Sequence, residues 1–176
     1  TELDTGSMLY IAEIDEKTPW QLKSDPVLLS RPLYGWENVS GTINNEGPHG
    51  FVKNGKVYLG YSGGSANSYT YAVGLLTADE DADLLDPENW EKANTPVLSF
   101  YSVKGEYGPG HHSFYVSEQG ELMIAYHAED AVDHVIRCDG IRRIHFDVSG
   151  RPRFDQSASE SLDPSLGKIK MQVEIL

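Results

Sequence analysis

The chain has 176 residues, 39% hydrophobic and 23% charged, which suits one globular domain with a sizeable core and excludes a disordered polyelectrolyte. With 14 basic against 27 acidic residues the formal net charge is −13, so nucleic acid and anionic membrane surfaces are repelled and a neutral partner such as carbohydrate is favoured. No apolar run approaches the roughly 20 residues of a membrane span. The single Cys138 excludes an internal disulfide and a thiolate metal cluster, and it reads as buried packing.

In chain order, Met8 to Ile14 reads as a mostly buried strand, Asp15 to Ser24 as a loop, and Val27 to Leu29 as a short strand confined to a sheet edge or end by Pro32. Asn44-Asn45-Glu46-Gly47-Pro48-His49 reads as a polar turn feeding a hairpin. Phe51 to Lys53 and Lys56 to Tyr61 flank Asn54-Gly55, the strongest short hairpin signal available. A strand follows over Tyr69 to Ala78. The acidic run after it invites a calcium-loop reading, but such a loop counted from Asp79 needs glycine at Leu84 and glutamate at Trp90, so a solvated turn or short helix start is expected. Tyr107-Gly108-Pro109-Gly110 reads as a second tight turn that delivers His111 and His112 into a strand paired with Leu122 to Ala128. A last hairpin runs from Ile141 through Ser149-Gly150 to Phe154, and Ile169 to Leu176 closes as a strand.

No stretch sustains helical periodicity, and turn signals recur between short strands, so the fold class is all-β, with repeated antiparallel hairpins suited to a sandwich or a propeller. Glu46 is the best-presented carboxylate: Gly47 lets the backbone pass close to a ligand and Pro48 fixes the local angle. A fixed, partly desolvated carboxyl suits acid chemistry; the bland reading is a solvated loop glutamate. His111 and His112 alternate faces in a strand, so one points at a site and the other away. Glycosidic hydrolysis usually takes two carboxyl groups, and the chain offers no convincing second, Asp4 included.

Asn45-Glu46-Gly47-Pro48, Asn54-Gly55-Lys56, Gly74 to Pro87 and Tyr107-Gly108-Pro109-Gly110-His111, with Leu9 to Glu13 and Arg142-Arg143-Ile144-His145-Phe146-Asp147, together resemble glycoside hydrolase family 43, most closely its arabinofuranosidase-like members. That resemblance implies a five-bladed antiparallel β-propeller with an axial sugar pocket and an inverting mechanism using three carboxylates. It implies that Glu46 is the general acid, that His111 is the axial histidine near a metal ion (Ca2+), and that Arg137 and Arg142 line or support the pocket. His112 stands where many relatives have asparagine.

In the family, the general base and a second, pKa-tuning aspartate come from the first blades, ahead of the strand that begins here at Met8. Residues 1–176 are therefore expected to be the C-terminal part of the catalytic propeller, about three blades. The substrate expected is a neutral pentose-containing carbohydrate, arabinofuranosyl or xylosyl, and the partner an N-terminal propeller chain or a second copy. The other open reading is a non-catalytic carbohydrate-binding or structural β-module.

Overall fold

In the computed structural model the described residues are 6–132 and 136–156. Strand β1 (Leu9–Ile11) pairs antiparallel with β4 (Val27–Ser30), and between them β2 (Ile14–Asp15) pairs with β3 (Thr18–Leu22). The segment expected as a loop over Asp15 to Ser24 is thus half hairpin, its strand being mostly solvent-exposed and so invisible to hydrophobic patterning. Two short 3₁₀ turns, Gly35–Glu37 and Val39–Gly41, lead into a four-stranded meander of β5 (Asn45–Lys53), β6 (Lys56–Gly63), β7 (Ala72–Asp79) and β8 (Glu91–Lys92). A three-stranded sheet joins β9 (Tyr107–Val116), β10 (Leu122–Glu129) and β11 (Arg137–Arg143), and β12 (His145–Phe146) with β13 (Pro152–Arg153) makes a small hairpin. Every strand pair in these sheets is antiparallel and joins near neighbours in the chain, so the all-β expectation holds and each larger sheet has the form of a propeller blade.

The Asn54-Gly55 hairpin forms as expected, with φ of 54° and 74° at its two central residues. The acidic run ends in a 3₁₀ turn at Pro87–Asn89, where the Asp86 carboxylate accepts the Glu88 N–H at 3.0 Å. Cys138, expected to be buried, is exposed on β11. The closing strand expected over 169–176 lies outside the described residues.

The main core lies between the four-stranded and the three-stranded sheet, where Tyr58, Val73, Leu75 and Leu98 meet Phe114, Ile124, Tyr126 and Phe154. Its effect is to press β9 against β5, β6 and β7, bringing the first strands of the two sheets side by side.

Neither Gly-Pro segment is a chain-reversing turn. Glu46-Gly47-Pro48-His49 lies inside β5 and Tyr107-Gly108-Pro109-Gly110 inside β9. In β5 the step from Glu46 to His49 is matched by the shorter step from Ser62 to Gly60, and β9 slips against β10 between Gly110 and Tyr107 and again between Ser113 and Gly110. These are β-bulges. A proline has no N–H for the ladder and is accommodated where the strand carries an extra residue.

The start of β5 is tied down by a buried polar knot. Glu37 is fully buried, and its Oε1 accepts from Tyr61 Oη at 2.8 Å and from Asn45 Nδ2 at 2.9 Å while pairing with Lys92 Nζ at 2.6 Å. Its Oε2 accepts the Tyr34 N–H at 2.8 Å. Asn45 Oδ1 accepts from Ser30 Oγ at 2.8 Å, so β4, the 3₁₀ turn, β6 and β8 all fasten the residue that precedes Glu46. Burial pulls the Lys92 ammonium below its usual range while Glu37 opposes that, and burial followed by the Glu37 charge drives the Tyr61 phenol strongly upward. Removing one partner leaves a buried charge unpaired. Lys92→Met should therefore lower the unfolding free energy by about 3–5 kcal/mol in urea titrations; a loss below about 1 kcal/mol would mean that other contacts hold the start of β5.

Candidate functional site

Glu46 is half-buried near the start of β5, opposite Ser62 of β6. Its Oε1 accepts a 2.6 Å hydrogen bond from the hydroxyl of Tyr71, whose ring is fully buried. That ring enters beside Gly110, where an added Cβ would come within 2.1 Å of its Cε1. Burial, followed by the hydrogen bond to Glu46, drives the Tyr71 phenol far above its ordinary value, so it remains a donor across the accessible pH range.

His111 arrives from β9 with φ 48°, in the left-handed region that a non-glycine residue seldom occupies. Its backbone N–H donates to Ser62 Oγ at 2.8 Å. The imidazole packs over Gly47, where a Cβ would sit 3.3 Å from Nδ1 and where φ is 55°. Strain of this kind persists only where the surroundings over-determine it, and here both bulges do so. From β10, His127 stacks on Tyr71 with centroids 5.6 Å apart and planes 14° off parallel. Its Nε2 is buried without a hydrogen-bond partner, and burial, then the Arg137 and His111 charges, pull it down to about 4 against the opposing charge of Glu46. His127 is therefore neutral at ordinary pH. Arg137, exposed on β11, donates to the Ala66 carbonyl at 2.8 Å, and its charge acts on both His127 and Tyr71.

Of the residues singled out in the sequence, Glu46, His111 and Arg137 thus gather around Tyr71 and Ser62. Arg142 is held elsewhere: its Nη2 pairs with Glu106 at 3.2 Å and its Nε donates to Tyr126 Oη at 2.9 Å, with Tyr126 also bonded to Glu106. Among the described residues no group of three or more His, Cys, Asp or Glu side chains is placed to hold a metal ion, and an imidazole is a poor donor for calcium, which prefers oxygen. The residues present do not fit a Ca2+ site by themselves. Ser62, Tyr71 and His127 were not among the site residues expected from the sequence, because each acquires its partners from another strand.

The cluster can place and orient one carboxyl group beside a half-open, neutral-imidazole and guanidinium rim, which is half of what glycosidic hydrolysis requires. The family model for glycosyl hydrolases family 43 matches residues 2–152. The chain belongs to glycosyl hydrolases family 43. An extracellular exo-α-(1→5)-L-arabinofuranosidase of Streptomyces chartreusis is 40% identical over 126 residues, 71% of this chain and 37% of that protein. Alpha-L-arabinofuranosidase B of Pyricularia oryzae is 33% identical over 157 residues, 85% of this chain and 32% of that protein. Among solved structures, an α-L-arabinofuranosidase from Lactobacillus brevis is 39% identical with a TM-score of 0.77, covering 86% of this chain and 48% of that one. A thermostable family-43 glycoside hydrolase is 32% identical with a TM-score of 0.72, covering 89% of this chain and 50% of that one. The family 43 chain thus spans about a third of these curated relatives and about half of the solved structures. Those structures are five-bladed β-propellers, and the two larger sheets described here form part of such a propeller.

His112, one residue along from His111, faces the core of this family 43 chain, as strand alternation requires. It lies beside Phe114 with centroids 4.8 Å apart, and neither ring nitrogen makes a well-formed hydrogen bond. Burial, then the neighbouring His49 charge, depresses it from 6.5 to about 4. The unfolded chain takes up this proton as pH falls below about 6.5 while the folded chain refuses it until about 4, so stability is lost across that window. The loss should approach roughly 3 kcal/mol at the acid end. Urea unfolding between pH 7 and 4 should show this slope in the wild type and a flatter one in His112→Leu; parallel slopes would exclude His112 as the source.

Proposed function

We propose that this chain is the acid-bearing part of an inverting family 43 glycoside hydrolase that removes terminal α-L-arabinofuranosyl units from plant polysaccharides or oligosaccharides. The single observation that carries the proposal is Glu46, half-buried on a bulge and oriented by Tyr71 at 2.6 Å beside His111. As general acid its carboxyl group protonates the departing glycosidic oxygen, which makes an otherwise poor alkoxide leaving group competent. His111 and Arg137 line the sugar side of the site. Arabinofuranosyl is preferred over xylosyl because the curated relatives above 30% identity carry arabinofuranosidase names, whereas a xylan β-1,4-xylosidase from Bacillus halodurans is only 17% identical and shares the fold alone.

Inversion holds a water between acid and base carboxyl groups about 6.5–9.5 Å apart. In this proposal the base and the pKa-tuning aspartate come from further blades, supplied by an N-terminal propeller chain or segment. Two faces suit such a neighbour. Tyr10, Ile14, Trp20 and Leu22 are exposed on β1 to β3, and Tyr115 and Ile141 are exposed on one face of the three-stranded sheet.

Release of nitrophenol from aryl arabinofuranoside and aryl xyloside, and of arabinose from arabino-oligosaccharides, tests the proposal on the purified preparation, with its chain content read by intact mass. Glu46→Gln should lose at least about 100-fold on oligosaccharides and markedly less on the activated aryl substrate. Equal losses on both would remove Glu46 from the acid role. Saturable sugar binding without turnover in a preparation holding all its blades would point instead to a binding module.

A further inference from the structure

We propose that Tyr69, Phe100 and Tyr101 form an aromatic platform that binds the sugar chain on the leaving-group side of the scissile bond. The inference rests on the reading of Glu46 as general acid acting on arabino-oligosaccharides. The three rings touch one another although they come from two separate connections. Tyr69 meets Phe100 edge to face, with centroids 5.2 Å apart and planes at 79°, and Phe100 lies against Tyr101 with centroids 4.0 Å apart. Phe100 is half-buried, whereas Tyr69 is 37% and Tyr101 86% exposed.

Both connections are held in place by hydrogen bonds. The turn carrying Phe100 and Tyr101 is closed by the Ser102 N–H donating to the Ser99 carbonyl and by the Ser99 N–H donating to Ser102 Oγ, each at 2.9 Å. The connection carrying Tyr69 is fixed by the Gly108 N–H donating to the Tyr69 carbonyl at 2.9 Å and by Arg137 donating to the Ala66 carbonyl at 2.8 Å. Tyrosine in such a setting offers a wide apolar face at low entropic cost, together with a hydroxyl, and a sugar ring presents the matching C–H face and hydroxyl groups.

Placement ties the platform to the acid. Gly108 lies two residues before Gly110, beside which the Tyr71 ring passes on its way to Glu46. Tyr69 is therefore held about 7 Å along β9 from that anchor, a step comparable to one sugar residue. Exposure rises along the same path, from Tyr71 at 0% to Tyr69 and then Tyr101. An enzyme that removes a terminal unit holds that unit at the closed end, so the rest of the chain, which departs with the glycosidic oxygen, leaves by the open end. Tyr69 precedes β7, and Phe100 and Tyr101 lie between β8 and β9, so the platform stands on the seam of the two larger sheets. Those sheets already pack against each other, and a further blade set beside either one does not cover the seam. A chain carrying a net charge of −13 favours a neutral polyol there over an anionic ligand.

The test has two arms. In the active protein containing this chain, Tyr101→Ala should lower kcat/KM on arabinotriose about 5-fold or more, and Tyr101→Phe should restore most of it. Methyl arabinofuranoside, whose leaving group has no ring to stack, should stay within about 2-fold of wild type. A nitrophenyl glycoside is unsuitable as this control because its own ring can stack on the platform. Equal losses on both substrates, or undiminished turnover of arabinotriose, would overturn the proposal.

The second arm needs no turnover. In protein carrying Glu46→Gln, titration with arabinotriose followed by saturation-transfer NMR should show Kd weakened about 5-fold when Tyr101→Ala is added. Unchanged affinity would sink the platform, and an accompanying change in assembly mass by sedimentation would make this face a protein contact instead. Tyr101-dependent binding of arabinotriose in a protein whose hydrolysis does not depend on Glu46 would defeat the acid reading and leave the platform standing.

Discussion

The structure depends on one fully buried carboxylate, Glu37, which binds four separate segments at once. Tyr61 of β6, Lys92 of β8, Asn45 of β5 and the Tyr34 backbone all converge on its two oxygens. A charge in the interior is tolerated only when paired and hydrogen-bonded, so these segments cannot shift independently without exposing one another's polar groups. Because Asn45 is one of the four and Glu46 follows it, the knot sets where the half-buried carboxyl of Glu46 begins its course through the sheet.

From that anchor, geometry is passed on by two bulges of the same composition. Gly47-Pro48 in β5 and Gly108-Pro109 in β9 each distort the leading strand of a sheet, and the apolar core presses these two strands together. The positive φ at Gly47 leaves room for the His111 ring, and the positive φ at His111 aims that ring there. Neither bulge alone makes a site. Side by side they gather Glu46, Ser62, Tyr71, His111 and His127 into one cluster, linked pairwise by the Tyr71–Glu46 and His111–Ser62 hydrogen bonds and the His127–Tyr71 stack.

The same cluster accounts for two opposite treatments of histidine within one strand. His112 is pushed into the core beside Phe114 and loses its ability to take a proton at ordinary acidity, while His111 remains solvent-facing above Gly47. One residue of strand alternation separates a packing group from a site group. Arg137 and Arg142 divide in a comparable way, the first reaching toward the Ser65–Tyr71 connection and the second locked to Glu106 and Tyr126.

The sequence by itself determined the all-β class, the Asn54-Gly55 hairpin, the succession of blades and the carboxylate at Glu46, because these rest on local turn chemistry, on period-2 patterning and on motifs contiguous in the chain. It misread both Gly-Pro segments as reversals, since glycine and proline punctuate turns and bulges alike and only the partner strand decides which forms. The exposed β3 and the two-residue β8 escaped notice for want of a hydrophobic pattern. No local pattern marks Glu37. What made it the buried tie, and what joined Ser62 and Tyr71 to Glu46 across separations of 16 and 25 residues, was the pairing of strands distant in sequence. Tertiary structure alone decided those contacts, because a hydrogen bond between remote strands is specified by register and packing and leaves no periodic trace in the chain.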